Sequence, residues 1–91
     1  MTRLYAPRPN PSRSHTAIRY SLAAEGRVTL RVHDLTGRVV RALAYGVMRP
    51  GRYSLSWNGA DDRGRELARG VYFCRFSAGD YRATEKLVLQ K

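Results

Sequence analysis

The chain has 91 residues and a formal net charge of +10, from 17 basic and seven acidic residues. This length fits one domain with a single core, which argues against an active-site cleft between two subdomains. The charge favours an anionic partner, but its arginines are scattered between apolar residues, without a dense basic run or an aromatic RNA-binding signature, so nucleic acid is not the expected partner.

The cysteine content and hydropathy argue against a disulfide-linked domain and against a membrane-spanning one. Cys74 is the only cysteine, so no internal disulfide is expected, and its apolar neighbours predict a buried, unreactive thiol. No apolar run of about 18 residues is present to span a membrane, and the N-terminus lacks the apolar segment of a signal peptide.

Residues 1–14 are predicted to be an extended, linker-like lead-in that could supply a short first strand. Pro7, Pro9 and Pro11 oppose a helix there and favour extended backbone. The domain proper is expected over residues 15–91.

Two alternating segments follow, and both indicate half-buried strands. In TAIRYSL the apolar residues alternate with Arg19 and Ser21, and in RVTLRVHD they alternate with polar residues that include His33. The short AAEG between them predicts a hairpin that joins the two strands.

The segment RVVRALAYG is less regular. Val40 and Leu43 are three residues apart, which fits neither a flat strand nor, before Gly46 and Pro50, a long helix. We therefore expect a strand with a bulge or bend.

The remaining segments also indicate strands. Tyr53, Leu55 and Trp57 alternate with serines, and the continuous apolar run GVYFCRFS predicts a central strand covered on both faces. The last strand places Leu87 and Leu89 on one face.

Short strands with a turn signal every eight to twelve residues are typical of a β-sandwich. We predict an all-β, immunoglobulin-like antiparallel sandwich of about seven strands. Tyr72 precedes Cys74 by two residues, the spacing of a tyrosine corner. The expected core includes Trp57, Leu30, Val32, Tyr72 and Leu87.

The stretch from Trp57 to Tyr72 concentrates the residues that could carry chemistry. Four side chains offer oxygen ligands for calcium, namely Asn58, Asp61, Asp62 and Glu66. Their spacing differs from an EF-hand, and three arginines offset the acids, so we expect turns at Gly59 and Gly64 and no metal or cofactor.

Other chemical interpretations of single residues are weaker. Asp61 and Asp62 are adjacent in a loop, where two carboxylates rarely face each other as a catalytic pair. The spacing of His15 and His33 does not indicate metal ligands or catalytic bases. Trp57 shares a strand face with Leu55, which favours packing in the core over stacking on a ligand. We therefore expect no enzymatic activity.

The order and spacing of several motifs resemble one protein family. The chain is similar to the type A C-terminal sorting domain of the type IX secretion system and to the immunoglobulin-like domain of the flagellar hook-capping protein. Asn58 and His33 depart from the family, which more often has aspartate and tyrosine there. The matching motifs are Asn10-Pro11 with Ile18 and Tyr20, Val32–Gly37 with Val40 and Leu43, Trp57–Gly59 with Asp61 and Gly64, Gly70-Val71-Tyr72, and Lys86–Leu89.

This resemblance implies a non-catalytic module of secreted, surface-associated proteins exported through the periplasm. The expected partners are the secretion translocon, a surface peptidase that removes the module, and the upstream cargo domain. The resemblance assigns recognition to the terminal segment, Glu85, Lys86, Leu87, Val88, Leu89, Gln90 and Lys91.

Two alternatives remain open at this point. A basic surface of an immunoglobulin-like binding or assembly module could hold an acidic polymer or a neighbouring domain. The terminal strand could recruit a partner as an added strand through Val88 and its flanking lysines, or Leu87 and Leu89 could simply close the core.

Overall fold

The computed structural model describes residues 1–90, in which seven strands and no helix occur, and hence no helix that could cross a membrane. A three-stranded sheet has the order β1-β2-β5 and a four-stranded sheet the order β4-β3-β6-β7, and all neighbours are antiparallel. This confirms the predicted immunoglobulin-like sandwich. The strands are β1 (Arg3–Leu4), β2 (Thr16–Leu22), β3 (Gly26–His33), β4 (Val39–Met48), β5 (Gly51–Trp57), β6 (Gly70–Ala78) and β7 (Tyr81–Leu89).

The core lies between the two sheets and consists of the inward residue of each alternating pair. Tyr20 of one sheet contacts Phe76 of the other, with ring centroids 5.0 Å apart. Burying one large apolar side chain contributes about 1.5–3 kcal/mol, so this layer is the main source of stability. All five predicted core residues are buried, namely Trp57, Leu30, Val32, Tyr72 and Leu87.

The predicted hairpin between the first two long strands is wrong. Strand β2 pairs with β1 and β5, whereas β3 pairs with β4 and β6, so AAEG crosses from one sheet to the other. The alternation of both strands is correct, but alternation says only which residues face the core. It does not say whether two successive strands are neighbours in one sheet or face each other across the core.

The irregularity predicted in the next strand is confirmed. The pairing of β3 with β4 shifts its register twice, between Leu30 and Arg31 and between Val32 and His33. These bulges allow Val40 to be buried and Leu43 to pack on the core although the two are three residues apart.

The prediction that β6 is covered on both faces is wrong. Tyr72, Cys74 and Phe76 are buried, but Phe73 on the opposite face is only half-buried and Arg75 is exposed. The continuous apolar run arises because Val71 and Phe73 occupy outward positions, where neighbouring side chains shield them only in part.

Candidate functional site

The terminal strand β7 divides the predicted recognition residues between core and surface. Leu87 and Leu89 are buried, which is the arrangement expected if they close the core. Glu85 and Val88 are half-buried, and the side chains available to a partner are those of Lys86 and Gln90. Lys91 lies outside the described residues, and the role of the whole segment in recognition stays a prediction.

The outer edge of β7 is covered by the N-terminal segment along residues 86–90. Asn10 donates its side-chain amide to the carbonyl of Lys86 at 2.8 Å and accepts the amide of Val88 at 2.9 Å. Ser12 donates its amide to the Val88 carbonyl at 2.8 Å and accepts the amide of Gln90 at 2.7 Å. A partner that adds a strand here would therefore have to displace residues 10–12.

The segment before this contact belongs to the other sheet. Strand β1 pairs with β2 and buries Leu4, and the Thr16 hydroxyl donates to the Pro9 carbonyl at 2.9 Å. The chain then crosses to β7, where Ser12 forms a parallel bridge with Leu89. Residues 1–14 thus lie against both sheets, and the domain boundary at residue 15 stays a prediction.

The loop between β5 and β6 is built from side chains that accept backbone amides. The Asn58 side-chain oxygen accepts the amide of Ala60 at 3.1 Å. One carboxylate oxygen of Asp61 accepts the amides of Arg63 at 3.0 Å and Arg65 at 2.9 Å. The pKa of Asp61 is lowered, chiefly by the hydrogen bond from the Arg65 amide. These contacts are the expected turns, and Gly59 and Gly64 supply their positive φ of 78° and 80°.

The same loop is attached to β4 and to the core. Asp62 accepts the Ala42 amide at 2.9 Å, and the Arg41 guanidinium donates to the Asp61 carbonyl at 3.1 Å. The indole of Trp57 donates to the carbonyl of Ala60 at 2.9 Å. The loop therefore fixes the start of β6 relative to the core and to the edge of the four-stranded sheet.

The geometry of this loop does not bring its acids together. Asp61 is turned to the amides of its own turn, whereas Asp62 is turned to Ala42 of β4, so the two carboxylates do not form a facing pair. Within residues 1–90, no three histidine, cysteine or acidic side chains are grouped as a metal site would require.

The tyrosine corner predicted from the spacing is present. The hydroxyl of Tyr72, at the start of β6, donates to the carbonyl of Ala68 at 2.7 Å. Its ring meets the Trp57 indole edge-on, with centroids 6.4 Å apart and planes at 72°. Both rings are buried, so this pair packs in the core and offers no stacking surface for a ligand.

Cys74 is part of the core and is fully buried. Burial raises the pKa of its thiol to about 12, with a smaller effect from Glu85, so little thiolate exists near neutral pH. This agrees with the prediction of an unreactive thiol.

Sequence reasoning missed two features of this region. One is the pattern Asp-x-x-Gly-Arg, which DLTGR at residues 34–38 and DDRGR at residues 61–65 share and which was visible in the sequence. It also missed that Asn10 and Ser12 contact β7, because no short-range pattern signals a contact across more than 70 residues.

Comparison with known proteins identifies the family of this chain. The family model described as the FlgD Ig-like domain matches residues 12–81. No protein of curated function matches the chain.

Two solved structures from Porphyromonas gingivalis share the fold. Dimeric latent PorU superposes with a TM-score of 0.70 and 19% identity over 97% of this chain and 9% of PorU. PorZ, described as an essential surface component of the type IX secretion system, gives a TM-score of 0.68 and 22% identity over 97% of this chain and 11% of PorZ. The chain thus spans about a tenth of the length of either protein. The resemblance inferred from its motifs is confirmed, and the chain belongs to the FlgD Ig-like domain family.

Proposed function

We propose that this domain is a non-catalytic sorting or anchoring module that directs an attached cargo protein through the type IX secretion system to the cell surface. The observation that carries the proposal is the likeness of nearly the whole chain to part of PorZ, a surface component of that system. The partners would be the translocon or a surface peptidase, together with the upstream cargo domain.

The structure suggests what the secretion machinery would read. Leu87 and Leu89 are buried and the edge of β7 is hydrogen-bonded to residues 10–12, so the terminal segment is part of the folded sandwich. Recognition would then depend on the exposed side chains of Lys86 and Gln90, displayed by an intact domain.

This arrangement determines how the proposal should be tested. Deleting residues 85–91 would remove Leu87 and Leu89 from the core, so a loss of export could reflect unfolding alone. A better variant is Lys86→Glu with Gln90→Glu, because both side chains are exposed. The matched control is Arg52→Glu with Ser54→Glu, two exposed positions on β5 whose substitution changes the net charge by the same amount.

Each variant would be fused to a reporter in a bacterium that has the type IX system, and surface reporter would be measured. Thermal unfolding of the isolated domains would verify that both variants fold. We expect the Lys86 and Gln90 variant to remain inside the cell while the control is exported. Equal export of the two folded variants would overturn the proposal.

A further inference from the structure

The outer face of the four-stranded sheet carries a group of cations with no acid among them. Outer face here means the side chains of β3, β4, β6 and β7 that point away from the core. None of these outward positions holds aspartate or glutamate, because the acids lie in turns or, as with Glu85, at an inward position. The exposed cations of this face are Arg27, Arg31, Arg75, Arg82 and Lys86.

The register places these cations side by side. Arg31 is directly opposite Arg75 on the neighbouring strand, and Arg82 lies one row away, opposite Ser77. Like charges directly opposite on neighbouring strands are destabilising. Within residues 1–90, no side-chain hydrogen bond or ion pair engages Arg31, Arg75 or Arg82, and a shallow groove of about 400 Å³ lies between them.

The arginines of the opposite sheet have a different environment. The guanidinium groups of Arg3 and Arg19 lie 4.9 Å and 5.6 Å from the centroid of the Tyr5 ring, as cation–π contacts. Two arginines of that sheet therefore have an aromatic partner within the domain, whereas Arg31, Arg75 and Arg82 do not.

An apolar column borders the cations on the same face. Val39, Tyr45 and Val47 of β4 lie opposite His33, Thr29 and Arg27 in register, so their side chains point outward as well. Tyr45 is 68% exposed and Val47 is 64% exposed. Exposed apolar side chains gathered on one face indicate an interaction with a protein or a membrane.

We infer that this face binds the surface of an anionic phospholipid bilayer. The cations would neutralise head-group phosphates, and Tyr45 and Val47 would enter the boundary between head groups and acyl chains. A soluble acidic polymer would account for the cations but would give no role to the exposed apolar column beside them. The inference can be tested separately from the proposed export function, because the two share only Lys86 and their test variants substitute different residues.

The test is sedimentation of the 91-residue chain with vesicles of phosphatidylglycerol and phosphatidylcholine, and with phosphatidylcholine alone. We expect binding only to the mixed vesicles, and a weaker affinity as salt is raised above about 0.1 M. The variant Arg31→Gln, Arg75→Gln and Arg82→Gln should lose roughly five-fold per cation, on the order of 100-fold together. The matched control, Arg3→Gln, Arg19→Gln and Arg52→Gln, removes the same charge from the other sheet and should lose far less.

A second pair of measurements separates a lipid surface from an acidic polymer. Tyr45→Ser with Val47→Ser should weaken binding to mixed vesicles several-fold and leave binding to soluble dextran sulfate unchanged. The inference would be overturned if the two three-arginine variants lost vesicle binding equally, or if Tyr45→Ser with Val47→Ser left vesicle binding unchanged. In the latter case the face would bind anionic partners through charge alone. Circular dichroism of every variant excludes unfolding as the cause.

Discussion

The turns at residues 34–38 and 61–65 share the pattern Asp-x-x-Gly-Arg and the same backbone bonding. In each, the aspartate amide donates to the arginine carbonyl, at 3.0 Å and 2.8 Å, and the glycine amide donates to the aspartate carbonyl at 3.0 Å. Each aspartate carboxylate also accepts the amides two and four residues later. Gly37 and Gly64 complete the turns with φ of 88° and 80°.

The two turns differ in how they are joined to the rest of the domain. The first is held mainly by its own contacts and by the His33 ring, whose Nδ1 is 3.0 Å from the Gly37 carbonyl. The second receives a hydrogen bond from Arg41 and lies beside Ala60, which accepts the Trp57 indole. The same local sequence thus serves as a simple strand connection in one place and as a fixed part of the core boundary in the other.

The largest expected effect comes from the link between the second turn and the core. Trp57→Ala removes a buried side chain and leaves the Ala60 carbonyl without its donor, so the free energy of unfolding should fall by about 3–5 kcal/mol. Leu35→Ala in the first turn removes an exposed side chain and should change it by less than about 0.5 kcal/mol. Urea unfolding measures both, and similar losses would contradict the comparison.

Substitution of the aspartate should also destabilise the domain more in the second turn than in the first. Asp61→Ala should lower the midpoint of thermal unfolding more than Asp34→Ala, because loosening the second turn also disturbs the acceptors of Trp57 and Arg41. Asp80→Ala, at an exposed position in another turn, is the control for the loss of one negative charge. Equal effects of the two turn variants would mean that the extra contacts add no stability.

Both turns are stabilised by an ionised aspartate, so both should lose stability in acid. The pKa of Asp34 is lowered, chiefly by the Thr36 hydroxyl, and that of Asp61 is lowered chiefly by the Arg65 amide, both from an ordinary value of 3.8. Because the unfolded chain takes up these protons first, the stabilisation is present above about pH 4 and is lost as the pH falls through the lowered folded pKa values.

The corresponding measurement compares the parent with Asp34→Asn and Asp61→Asn combined. The midpoint of thermal unfolding of the double variant should fall less steeply between about pH 5 and pH 2. Parallel curves for the two proteins would contradict the assignment.

The smallest expected effect is that of calcium on the second turn. Its carboxylates are occupied by backbone amides, so millimolar calcium should leave the thermal midpoint unchanged, as should magnesium. A rise in the midpoint with calcium alone, lost in Asp61→Asn, would establish a site that the geometry does not indicate.

Much of the fold could be predicted because each strand carries its own alternation. Successive side chains of a strand point to opposite faces, which places Val28, Leu30 and Val32 inward and Arg27 and Arg31 outward. The bulged strand could be predicted from the spacing of Val40 and Leu43. The pairing of β2 could not be predicted in this way, because its neighbours in the sheet are set by packing between distant segments.

The candidate functional surfaces were harder to predict from the sequence than the fold. The turn chemistry around Asp61 followed from residue types, but the hydrogen bonds between Asn10 and β7 join residues more than 70 positions apart. Predicting the cationic face would have required the strand register, because only the pairing of β3 with β6 places Arg31 opposite Arg75.

The parallel contact between residues 10–12 and the end of β7 has a mechanical consequence. Ser12 and Leu89 lie on segments that run in the same direction, joined by the bonds from Ser12 to Val88 and from Gln90 to Ser12. Tension applied to the two segments toward their own chain ends pulls them past each other, so these bonds are loaded in shear and must break together. The contact thus resists a pulling force applied between residues 10–12 and the end of β7.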